Sequence, residues 1–239
     1  MNAIILAAGM GTRLRPLTDK KPKPLVEVNG ISLIESQLKK LTDAGIDDIT
    51  IVTGYKAEQF SHLQDKYPVS FIFNDKYSIY NNWYSLFLAK ENLGDTFIMD
   101  GDVFVNSDIF CVKPENSTYY CKLSNNFNNE WVIEYDNKHR VTSITIDSCT
   151  PDKNKRCFFS AVSYWKEKDS AIIKSSIEEL YRHKENKTNL FWDNLVIDNL
   201  NRLDLHAKIV SDFDLYEVDS VSDLNKLESK LATRKTSPE

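Results

Sequence analysis

After a short apolar run at residues 2–6, the chain reads Ala7-Ala8-Gly9-Met10-Gly11-Thr12, a stretch of small side chains that lets backbone approach a ligand closely. Successive N–H groups in such a turn form an anion-binding concavity, and Arg13 and Lys23 set fixed positive charge beside it. Phosphate groups suit this chemistry. The third glycine of the dinucleotide fingerprint is missing and no GxxxxGK[ST] loop occurs, which argues against NAD and against a Walker-type ATPase. Asp100-Gly101-Asp102 closes a second apolar run at 96–99. Two carboxylates at a strand tip are placed to hold Mg²⁺ against a triphosphate, with an ordinary Asp-Gly turn as the bland alternative. Glu217 and Asp219 alternate with Tyr216 and Val218, so both point to one side of a strand, a pattern that by itself also fits an exposed acidic face.

Two further groupings invite binding roles. Asn81, Asn82 and Ser85 precede or open a helical run, where amides either read a base edge or cap the helix. Asn129-Glu130-Trp131 and Phe191-Trp192-Asp193 each set an acid beside tryptophan. An aromatic face attracts a quaternary ammonium by about 1–2 kcal/mol per ring when desolvated, and a carboxylate adds Coulomb attraction. Large aromatics are more often core than cage, and Trp165 and Phe158 are assigned to the core.

The elements that must position these residues follow from periodicity. Strands are expected at 2–6, 48–53, 69–73 and 96–99, with amphipathic helices at 33–44 and 58–67 between them and a helical run through Lys90. This alternation implies an α/β chain with a doubly wound, mostly parallel sheet whose ligands lie outside the carboxyl ends of the strands. From 117 onward the texture is β-rich, with strands at 118–123, 131–135, 141–146 and 158–164 extending the sheet and adding a small antiparallel lobe. Helices are expected at 170–183, after Asn194 and at 220–231, and an alternating strand at 215–219. One domain over 1–232 is expected, with 233–239 a disordered tail.

Composition narrows the classes. With 239 residues, 41% of them hydrophobic, and a net charge of −5, the chain can bury a full core and carries no basic nucleic-acid footprint. Cys111, Cys121, Cys149 and Cys157 show no metal spacing, and no signal-peptide pattern or apolar run of about 20 residues appears. Reduced thiols and a cytoplasmic location are expected, without membrane or nucleic-acid partners.

The opening stretch LAAGMGTRLRPLT, followed by PKPL, resembles the LAAGxGTRLxPLT…PKPL signature of the nucleotidylyltransferases, which join an NTP to a phosphorylated small molecule and release pyrophosphate. The resemblance implies that Leu6, Ala8, Gly9, Gly11, Thr12 and Arg13 hold base, ribose and triphosphate, and that Lys23 contacts the reacting phosphates. NDKYSIYNNWYSLFLA is similar to a segment that closes over the nucleotide in the bacterial phosphocholine cytidylyltransferases, which assigns Asn81, Asn82 and Ser85 to the nucleotide. In that family the second aspartate of the DxD pair binds metal, and a C-terminal E-x-D joins it. Asp102, Glu217 and Asp219 are therefore the expected Mg²⁺ ligands, with Asp100 a neighbour in the nucleotide site. The family motifs NEW and LYWDN sit around a choline headgroup, which assigns Glu130, Trp131, Phe191, Trp192 and Asp193 to the acceptor. Phe191 stands where the family has tyrosine, losing a hydroxyl but keeping the ring.

The resemblance implies a Rossmann-like nucleotidyltransferase fold and transfer of CMP from CTP to phosphocholine, with Lys23 and Arg13 as the catalytic cations and a monomer or dimer as the working unit. Alternatives are a cytidylyltransferase for 2-aminoethylphosphonate or phosphoethanolamine, a sugar-1-phosphate nucleotidylyltransferase, and a non-catalytic nucleotide-binding regulator.

Overall fold

A computed structural model describes residues 1–151, 153–183 and 187–235. In chain order the strands are β1 (Asn2–Ala7), β2 (Glu27–Val28), β3 (Ile31–Ser32), β4 (Ile49–Thr53), β5 (Val69–Phe73), β6 (Thr96–Asp100), β7 (Val103–Val105), β8 (Ser117–Ser124), β9 (Phe127–Tyr135), β10 (Val141–Cys149), β11 (Arg156–Trp165), β12 (Leu205–Ile209) and β13 (Leu215–Glu217). The helices are α1 (Leu33–Asp43), α2 (Asn82–Leu88), α3 (Glu167–Arg182), α4 (Asp193–Asp198) and α5 (Val221–Lys235).

The main sheet runs β10-β9-β11-β6-β1-β4-β5, with β8 beside β11 and β12 beside β8. The segment β6-β1-β4-β5 is parallel, as the alternating pattern predicts, and β11 joins it antiparallel against β6. The chain reverses its direction of travel across the sheet at β1, which lies between β4 and β6, so the crevice at the carboxyl end of β1 is where a ligand fits. Both faces of this sheet are covered. Along β1, Ile4 and Leu6 enter one apolar cluster with Trp83, Ile98 and Trp165, while Ala3, Ile5 and Ala7 enter another with Leu38, Phe97 and Met99. That period-two division explains why the strand reads as a continuous apolar run rather than an alternation. A third cluster packs Leu14 and Val26 against Val218, Leu224 and Leu227, tying the C-terminal helix to the opening loop.

Several sequence expectations need correction. The amphipathic helix expected at 58–67 is a 3-10 helix over Ala57–Asp65; its buried side chains, Phe60 and Leu63, are three apart, the repeat on which a 3-10 helix eclipses its side chains. Phe158 is only half-buried, 5.2 Å from Phe127, because strand alternation turns its neighbour Phe159 inward instead. Trp165 is fully buried as expected. The tail expected from 233 is helical through Lys235, and residues 236–239 lie outside those described. The four cysteines are unpaired thiols. Among the described residues no helix is long and apolar enough to cross a membrane.

Candidate active site

A cavity of about 710 Å³ opens at the carboxyl ends of β1 and β6. Pairing of Leu6 with Asp100 sets the glycine-rich loop and the DGD turn level with each other, and Gly101 N–H donates to the Leu6 carbonyl at 2.9 Å. Gly11 has φ +59, and a Cβ there would lie 2.7 Å from Lys23 Cβ, so the loop folds as it does only around a glycine. Gly54, at the end of β4, has no room either: a Cβ would meet the Ala8 carbonyl at 2.8 Å. Under the DGD turn, buried Gln37 of α1 donates through Nε2 to the Asp100 and Val103 carbonyls at 2.9 and 2.7 Å.

The charged centre is compact. Lys23 Nζ donates to Asp102 Oδ2 at 2.6 Å and to Asp219 Oδ1 at 2.7 Å, and Arg13 Nη2 reaches the same Asp219 oxygen at 2.8 Å. Burial opposes the Lys23 charge, but Asp102 and Asp219 outweigh it and hold the ammonium above its ordinary pKa. The antiparallel β7–β13 pair places Glu217 opposite Val103, and Val218 N–H donates to the Asp102 carbonyl at 3.2 Å, which brings the two acidic motifs side by side. Desolvation pushes Glu217 up to about 8, with Glu130, Asp102 and Asp219 adding repulsion. Asp100 is raised well above the carboxylate range by desolvation and by Asp102, Asp193 and Glu217. Six carboxyl groups, Asp100, Asp102, Glu130, Asp193, Glu217 and Asp219, line the cavity against two cations, Arg13 and Lys23. Such a surplus suits cationic ligands as well as the phosphates the cations face.

The acids fit a hard divalent cation in donor chemistry: they offer carboxylate oxygens, and Asp102 repels the charged forms of both Glu217 and Asp100, a cost a cation would relieve. Lys23 stands between Asp102 and Asp219, and among the described residues no three such side chains converge as a ready-made metal cage.

Of the residues assigned to the nucleotide, Leu6, Ala8, Gly9, Gly11, Thr12, Asn81, Asn82 and Ser85 all line the cavity. Asn81 caps α2, its Oδ1 accepting from Asn82 N–H at 2.8 Å, so the capping alternative holds without removing it from the wall. Sequence reasoning missed buried Asn74, whose Nδ2 donates to Ser85 Oγ at 3.0 Å, and Phe159 and Ala161 of β11, which also face the cavity. Asn74 opens the NDKYSIYNNWYSLFLA stretch, but nothing within that stretch singles it out from Asn81, Asn82 and Ser85.

Of the residues assigned to the acceptor, Glu130, Trp131, Phe191 and Asp193 line the cavity, with the Trp131 and Phe191 rings edge to face at 6.0 Å. Trp192 does not join them. It is 2% exposed and packs against Trp165 at 5.8 Å, because successive residues at a helix start point in different directions and the largest apolar ring turns to the core. Asp193 Oδ1 accepts from Tyr119 Oη at 2.9 Å. Burial raises this carboxyl to about 7, and desolvation with the Asp219 charge raises Glu130 to about 7 as well.

Comparison with known proteins agrees with this geometry. The nucleotidyl transferase family profile matches residues 2–190. A choline-phosphate cytidylyltransferase of Streptococcus pneumoniae is 43% identical over 97% of this chain and 98% of its own. A 2-aminoethylphosphonate cytidylyltransferase of Lancefieldella rimae is 34% identical, covering 93% and 90%. The solved structure of the CTP:phosphocholine cytidylyltransferase of S. pneumoniae superposes with a TM-score of 0.90 at 42% identity, over 96% of this chain and 98% of that one. With the profile matched over residues 2–190 and a relative 43% identical over nearly its whole length, the chain belongs to the nucleotidyl transferase family.

Proposed function

We propose that this protein transfers CMP from CTP to phosphocholine, giving CDP-choline and pyrophosphate. The observation that carries the reading is one cavity lined by two unlike sets of groups: a glycine loop with Arg13 and Lys23, and the Trp131–Phe191 pair with Glu130 and Asp193. A phosphate oxygen of phosphocholine attacks the α-phosphorus of CTP as the bond to the β-phosphate oxygen breaks, and pyrophosphate leaves. The attacking phosphate is already ionised, so no general base is required. Backbone N–H groups of the Gly9–Arg13 turn hold the triphosphate, and Lys23 and Arg13 neutralise charge that grows on the leaving pyrophosphate. Mg²⁺, held by Asp102, Glu217 and Asp219, would add charge neutralisation on the triphosphate. Trp131 and Phe191 present aromatic faces to the quaternary ammonium while Glu130 and Asp193 supply counter-charge. Asn81, Ser85 and Asp100 belong to the nucleotide side of the same reading.

A second reading takes 2-aminoethylphosphonate as acceptor, favoured by the cavity-lining carboxyl groups of Glu130 and Asp193, which would accept hydrogen bonds from a primary ammonium, and by the similarity to a cytidylyltransferase of that name. Pyrophosphate release from CTP and Mg²⁺ with phosphocholine, phosphoethanolamine, 2-aminoethylphosphonate and glucose-1-phosphate in parallel separates the two. Preference for phosphocholine is expected. Preference for a primary amine or a sugar phosphate would overturn the acceptor, and no release with any of the four would overturn the enzyme.

A further inference from the structure

We propose that Asn82 is a positioning residue that seats the acceptor wall on the nucleotide helix, and not a reader of the base. Its side-chain Oδ1 accepts from the Trp192 backbone N–H at 3.0 Å, a contact across 110 residues of sequence. Because that N–H is only a donor, the atom facing it must be the amide oxygen, which commits Oδ1 to this contact and leaves Nδ2 as the other polar atom of the side chain. Two neighbours make the same crossing: Asn81 N–H donates to the Thr188 carbonyl at 2.9 Å, and Trp83 Nε1 donates to the Lys187 carbonyl at 2.9 Å. Three consecutive residues at the start of α2 thus hold the chain that leads into α4.

The position of the Asn82 contact gives it leverage. Trp192 lies between Phe191 and Asp193, the ring and the carboxyl of the acceptor wall, and its own side chain is pinned in the core against Trp165. The Phe191 N–H is satisfied separately by Asn194 Oδ1 at 2.9 Å. Asn82 is therefore the side chain from the nucleotide half that fixes where the turn carrying both acceptor groups sits. Removing its oxygen leaves the largely buried Trp192 N–H without a partner and loosens Phe191 and Asp193 together.

The inference rests on the acceptor reading above, and wild-type kinetics with the acceptor panel test that reading first, before any variant is made. The Asn82 test is then steady-state kinetics of Asn82→Ala with CTP and with the best acceptor found. The expected result is a rise of about tenfold in KM for the acceptor, the scale of one lost buried hydrogen bond, with KM for CTP within about twofold of wild type. A rise in KM for CTP with the acceptor KM unchanged would overturn the proposal in favour of base reading, and no change in either would overturn it as well. Asn82→Asp keeps an oxygen for the Trp192 N–H and loses the Nδ2 donor, so its acceptor KM should stay near wild type, also if the alanine variant fails to fold. An acceptor KM raised tenfold in the aspartate variant would sink the idea.

Discussion

Lys23 is 7% exposed, yet it carries an ammonium whose two partners, Asp102 and Asp219, lie 79 and 196 residues further along the chain. The two acids hold this buried ammonium above its ordinary pKa, so it is charged at neutral pH, which is what neutralising a departing phosphate demands. Lys23→Ala should lower kcat by roughly 10²-fold or more, since preorganised charges of this kind contribute on that scale. Pyrophosphate release checks it, with a circular dichroism melt to confirm a folded variant; turnover near wild type would remove Lys23 from the chemistry. This residue was legible in the sequence because motif spacing fixes it: Gly11 and Lys23 pack Cβ-close, so glycine is required at one position by the other. The facing of Trp192 was not legible. A motif string gives neighbours along the chain, and only the fold decides which of Phe191, Trp192 and Asp193 turn outward.

At the scale of elements, the turn into α4 sends adjacent aromatic rings to different surroundings. Trp192 is buried against Trp165, while Phe191, next to it, is 40% exposed at the cavity wall. Trp192→Ala should destabilise the protein by about 3–5 kcal/mol, the usual range for emptying a large aromatic site in a core. Phe191→Ala should leave the unfolding midpoint nearly unchanged and raise KM for the acceptor several-fold, as one exposed cation–π partner is worth about 1 kcal/mol. Urea unfolding and acceptor kinetics on both variants test the division, and equal loss of stability in the two would contradict it. The parallel half of the sheet was readable from periodicity, because strands buried on both faces are continuous apolar runs. The β11 bulge was not. Register shifts between Phe159 and Ser163 and Ala161 adopts φ +53, with no glycine to mark the spot, so the two cavity-facing residues there carry no sequence signal.

For the whole molecule the surplus of acid in one cavity links folding to pH. Asp193 titrates near 7 in the folded chain against an ordinary 3.8, so the folded state holds its proton more tightly than the unfolded one. Stability from this group is fully present below about 4 and is lost as pH rises through 7; Glu130, also near 7, has the same sign. Carboxyls with lowered values, such as Glu91 at about 2 beside Lys174 and Lys90, lose their contribution only as pH falls below the ordinary carboxylate range. Between pH 5.5 and 8.5 the raised groups therefore decide the slope. The ligand-free protein should show a lower urea midpoint at pH 8.5 than at 5.5, and Asp193→Asn, which keeps an oxygen for the Tyr119 hydroxyl, should flatten that difference. Saturating a cation-bearing acceptor at 100 times its Kd should restore about 2.7 kcal/mol at pH 8.5, where the wall is ionised. A midpoint that rises with pH in this window would mean that the buried acids are balanced by cations from elsewhere in the fold, and that the cavity is not held ready for a positively charged guest.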